Sequence, residues 1–119
     1  MVSVTGLVAA FFLVMGLIAL AVPERITAIF GTPSLTAEGR NEVRAVYGGY
    51  GLAMSVLLVV ASGLPSIRRG VVLCVTAALA GMAGGRVLGA VLEWPRRFYP
   101  VWFYCALEAG MAAALYCRS

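Results

Sequence analysis

The chain has 119 residues, of which 62% are hydrophobic and 12% charged, against about 25% charged in ordinary soluble domains. Nine Arg and five Glu give a formal net charge of +4, and Lys, Asp, His and Gln are absent. This balance excludes a soluble globular domain, and the lack of His excludes axial-His haem, His-ligated zinc and a Ser-His nucleophile. The basic excess does not point to nucleic acid, because several Arg flank apolar runs, where lipid headgroups account for them.

The first apolar run, from Val2 to Val22, ends at Pro23 and reads as one full membrane span. Ala19-Leu20-Ala21 resembles a signal-peptide cleavage site, but no Arg or Lys precedes the run and it exceeds the usual length of a signal core. Residues 23–40 are the longest polar interruption. Within them Ile26, Ile29 and Phe30 recur at helical spacing beside Glu24 and Arg25, which predicts a short amphipathic turn in the interface, closed by Gly31 and Pro33. It serves as a connector or as a lid.

The second span begins near Thr36 to Glu38 and runs to about Ser62, with Glu38, Arg40, Asn41, Glu42 and Arg44 gathered at its start. A turn at Gly63, Leu64 and Pro65 leads to the third span, over 66–92. Gly81, Gly85 and Gly89 form a row on one face of it that favours close helix packing, within the subunit or in a homo-oligomer. Glu93 to Pro100 form the next loop, rich in Arg and aromatic residues as at a membrane interface. The fourth span covers 100–117. Cys74, Cys105 and Cys117 have no C-x-x-C spacing and read as small buried hydrophobes.

These elements predict an all-α fold, a single domain over 1–119 built as a four-transmembrane-helix up-down bundle, with spans at about 2–22, 38–62, 66–92 and 100–117. The arginines outside the spans divide three against four, which sets no orientation. Arg40, Arg68, Arg69, Arg96 and Arg97 read as lipid-facing anchors.

Arg86 and Glu108 fall inside apolar spans, where a charge costs roughly 2.5 to 3.5 kcal/mol. At 1.5 Å per residue, Glu42 and Arg44 lie about 6 to 12 Å into their helix, Arg86 about 9 Å from the end of its own, and Glu108 about 12 to 15 Å into the fourth span. In an up-down bundle all four share one half of the membrane. Arg86 is therefore expected to pair with Glu108 or Glu42, with Asn41, Tyr47, Tyr50 and Tyr104 adding hydrogen bonds. Such a cluster either fixes helix register or forms a site.

The segment Asn41-Glu42-Val43-Arg44-Ala45-Val46-Tyr47-Gly48-Gly49, followed by Gly84-Gly85-Arg86 and a Glu in the last span, resembles a family of small four-helix bacterial membrane proteins known as a domain of unknown function. The resemblance covers nearly the whole chain. It implies a four-span fold and groups Asn41, Glu42, Arg44, Tyr47, Arg86 and Glu108 in one site, without supplying an activity; the expected location is a bacterial inner membrane.

Three functions compete. The first is a binding protein without cofactor or metal, whose Asn41, Arg44, Tyr47, Arg86 and Tyr104 hold the polar head of a lipophilic small molecule among membrane lipids. The second is a cofactor-independent isomerase or cyclase for a terpenoid, sterol or epoxide, with Glu108 or Glu42 as acid or base. The third is proton-coupled export, disfavoured because the first span has no ionisable residue, although the small multidrug transporters that the chain resembles in size carry their essential Glu there.

Overall fold

Ser3 sets the start of the first helix: its hydroxyl accepts from the Gly6 N–H at 3.0 Å, satisfying an amide that a helix start leaves unpaired. The computed structural model describes residues 3–118. Among these residues all regular structure is helical, comprising α1 (Val4–Ala21), α2 (Pro23–Ile29), α3 (Ala37–Ser62), α4 (Pro65–Leu92) and α5 (Val101–Arg118). Three of them, α1, α3 and α4, are long and apolar enough to cross a membrane, which makes this a membrane protein. Helix α5, with Glu108 in its middle and Arg118 at its end, falls outside that group.

Contacts divide the chain into two compact units, one ending at Gly63 and the other beginning at Leu64. In the first, α1 and α3 run antiparallel: Phe12 meets Gly51, Gly16 meets Gly48 and Gly51, and Leu20 meets Gly48. The approach is backbone to backbone. A Cβ on Gly16 would stand 2.9 Å from the Gly48 carbonyl oxygen, and one on Gly51 would stand 2.9 Å from that of Phe12. Only hydrogen fits at those two positions. Above them Phe12 is buried and meets Tyr50 edge-on, with ring centroids 6.4 Å apart.

Helix α3 is not uniform. Its buried positions run Val43, Gly48, Gly51, Ser55 and Leu58, and steps of three or four keep a residue on one helix face. The step of five from Val43 to Gly48 would leave that face by about 140° in an α-helix, at about 100° per residue. A π turn over Arg44–Gly49 absorbs the extra residue, since its N–H groups reach back five positions instead of four. Gly48 and Gly49, weak α-helix formers, sit in it.

The connection from α2 to α3 is tied at both ends. Gly31, at φ 91°, ends α2, with its N–H donating to Ala28 O at 3.1 Å and the Thr32 N–H donating to Thr27 O at 2.9 Å. This pair of bonds is the Schellman closure, which needs a left-handed residue. Further on, the Leu35 peptide is gripped on both sides. Its N–H donates to Glu24 Oε2 at 2.8 Å and its carbonyl accepts from Arg40 Nη1 at 2.8 Å, while Arg40 and Glu24 stand 3.5 Å apart. Arg40, read from the sequence as an anchor, forms part of this clasp, because the loop brings a backbone carbonyl within its reach. Thr36 then caps α3 by accepting from the Gly39 N–H.

In the second unit, α4 starts with Pro65 at its first position, where no N–H is needed. It packs along α5 through Val72, Val75, Leu79, Ala83 and Ala90 against Ala112 and Leu115. The Cys105 thiol lies 3.6 Å from the Ala83 carbonyl. Cys74 and Cys117, expected to be buried, are exposed, since both lie off the stripe that α4 and α5 share. Gly81, Gly85 and Gly89 have no atom within 4 Å of where a Cβ would stand.

Candidate functional site

Arg86 lies on α4 one turn before Ala90 and one turn after Ala83, so the stripe that packs the helix carries its guanidinium toward α5. Glu108 occupies the matching place on α5, one turn before Ala112. Their side chains meet in a bidentate pair: Arg86 Nε donates to Glu108 Oε1 at 2.7 Å and Arg86 Nη2 donates to Oε2 at 2.9 Å. Glu108 is nearly enclosed, with 5% of its side chain exposed against 25% for Arg86. Two parallel N–H···O bonds to a planar carboxylate are the strongest match a guanidinium makes, and they answer the cost of burying the acid.

Tyr104, one turn before Glu108, offers its ring to the same guanidinium, whose central carbon is 5.6 Å from the ring centroid. The Tyr104 and Tyr99 hydroxyls stand 3.4 Å apart. Phe103 meets the Tyr104 ring edge-on at 5.0 Å and the Tyr99 ring at 5.6 Å, and Trp94 lies 5.5 Å from Trp102. The loop between α4 and α5 and the first turn of α5 thus form an aromatic collar. Beside the pair is a cavity of about 280 Å³ lined by Arg86, Gly89, Ala90, Glu93, Pro95 and Val101. Arg86 and Glu93 are the two charged groups in its wall.

The structure brings together Arg86, Glu108 and Tyr104 among the residues expected from the sequence. Asn41, Glu42, Arg44 and Tyr47 belong to the first unit. There Arg44 Nε donates to the Leu20 carbonyl at 3.0 Å, so a cation answers one of the unpaired carbonyls at the end of α1. Asn41, Glu42 and Tyr47 are exposed, and among the described residues the Glu42 carboxylate forms no ion pair and accepts no hydrogen bond. Sequence reasoning missed Glu93. Its position at the end of α4, just before Trp94-Pro95, marks a loop residue, and only the fold of that loop turns it toward the cavity beside Arg86.

No curated protein and no solved structure matches the chain. Residues 3–118 match the model of a family described as a domain of unknown function (DUF4345), and the chain therefore belongs to that family.

Proposed function

We propose that this chain binds a lipophilic small molecule within the membrane, holding its polar head in the cavity beside the Arg86–Glu108 pair. The observation that carries the reading is the wall of that cavity, where Arg86 and Glu93 stand among Gly89, Ala90, Pro95 and Val101. The wall is open to one side and shares its surface between these two charged groups and small apolar side chains, and placed polar groups beside apolar ones are what orient a small molecule in a site. A volume of about 280 Å³ suits a head rather than a whole amphiphile. The open row from Gly89 to Gly85 and Gly81 extends about 12 Å down α4 and gives room for an apolar chain.

In this reading α5 is a fourth span. Its 18 residues extend about 27 Å, close to the roughly 30 Å of a hydrocarbon core, and its interior charge is answered by Arg86. Binding is favoured over acid-base turnover by the engagement of Glu108. Both carboxylate oxygens accept from one guanidinium, so an isomerase using Glu108 as its acid or base has to open the pair first.

The test is native mass spectrometry of protein extracted in a mild uncharged detergent. The expected result is a retained small molecule that is lost from Gly89→Leu, a substitution that fills the cavity from an open position and leaves the Arg86–Glu108 pair in place. Equal retention by Gly89→Leu would sink the assignment of this cavity.

A further inference from the structure

The two charged groups in the wall of the cavity differ in how far their partners are already supplied. Arg86 has its positive charge matched by Glu108, with both carboxylate oxygens engaged. Glu93, which also lines the cavity, forms no ion pair and no side-chain hydrogen bond with any described residue. Of the two charged groups in the wall, Arg86 is already engaged by a carboxylate outside the cavity and Glu93 is not; Arg96 and Arg97 follow in the same loop but do not line it.

From this we infer that the head held here is cationic, an alkylammonium of low hydration rather than a carboxylate or phosphate; the inference rests on the binding reading above. An anionic head has to take Arg86 from a buried partner that already makes two short hydrogen bonds, and it would then leave Glu108 enclosed and unpaired. It would also approach Glu93 against like charge. A cationic head meets the Glu93 carboxylate directly and leaves the inner pair undisturbed. Beside Glu93 the wall has the small apolar side chains of Ala90, Pro95 and Val101, against which a charge clothed in alkyl groups packs better than a strongly hydrated ion. An alkyl chain leaving this head has the glycine row of α4 ahead of it.

The experiment compares decyltrimethylammonium and decanoate, each below its micellar concentration, and decanol below its solubility limit, as stabilisers of the full chain in an uncharged detergent. Decyltrimethylammonium is expected to raise Tm at lower concentration than decanol, with decanoate the weakest. In Glu93→Gln the apparent affinity for the cation is expected to fall about fivefold, the range of a partly exposed ion pair, while that for decanol stays the same. Decanoate binding as well as the cation, or an unchanged cation affinity in Glu93→Gln, overturns the inference. If decanol stabilises the protein and Gly89→Leu abolishes this, but the cation has no advantage, the cavity stands and only its charge preference fails. If no probe acts, or if Gly89→Leu responds as the wild type does, the binding reading falls and the inference falls with it.

Discussion

Glu108 gives both of its carboxylate oxygens to one guanidinium, that of Arg86, across the seam between α4 and α5. Because the acid is buried, removing the base leaves a charge with no partner. Arg86→Ala and Glu108→Ala are each expected to cost about 3 to 5 kcal/mol in unfolding free energy, whereas the double substitution Arg86→Ala with Glu108→Ala is expected to cost much less than their sum. Chemical unfolding in detergent micelles checks this. Additive losses would mean that the two side chains are not coupled.

Gly16 and Gly51 stand where the backbones of α1 and α3 touch, while Gly81 and Gly85 face open space. Alanine at position 16 or 51 is expected to destabilise the protein by about 1 to 3 kcal/mol through overpacking. Alanine at 81 or 85 is expected to be neutral or to stabilise by up to about 1 kcal/mol, because a helix interior gains from replacing Gly. Thermal melts of the four variants give the ranking, and a loss at 81 equal to that at 16 would contradict it.

The Leu35 N–H donates to the Glu24 carboxylate, so its exchange with solvent reports on the clasp. Glu24→Ala is expected to speed exchange of this amide, with the amides inside α1 unchanged. Amide exchange measured by NMR distinguishes the two outcomes, and a protected Leu35 in Glu24→Ala would show that the loop is held by something else.

The π turn makes an unusual deletion tolerable. Removing Ala45, which is exposed, leaves Val43 and Gly48 four positions apart, the spacing at which an α-helix keeps both on one face. The deletion is expected to preserve helical content and a cooperative melt. A one-residue deletion at Val56, within the regular part of the same helix, is expected to abolish the cooperative melt because it turns Leu58 and Ala61 off the buried face. Circular dichroism with thermal unfolding compares them.

Much of this architecture can be read from the residues. Thr36 announces its helix because a hydroxyl before a run of helix formers has an amide to cap, and Arg86 and Glu108 announce each other because neither charge is cheap in an apolar helix. Other features depend on how separate segments meet. Gly81, Gly85 and Gly89 have a regular spacing that draws attention, yet the close helix contact is made by Gly16 with Gly48 and Gly51, a set split over two helices with no period of its own. The π turn escapes detection because Gly48-Gly49 signals only weak helix preference, and its cause is the phase relation of Val43 to Gly48, visible only once the buried face is known. Arg40 looks like any interfacial arginine until the loop folds Leu35 back within its reach.

The widened turn between Arg44 and Gly49 is, in effect, a dislocation in an otherwise regular lattice of hydrogen bonds. A dislocation can migrate one peptide at a time while the helix on either side stays intact. Each step of such migration turns a residue by about 100° about the axis, and the first residues to turn are those bordering the Asn41–Gly49 segment. The polar start of α3 therefore has a route to reorient its side chains in discrete steps, while the contact of Gly51 with Phe12 and Gly16 holds the regular part of α3 beyond the turn in place.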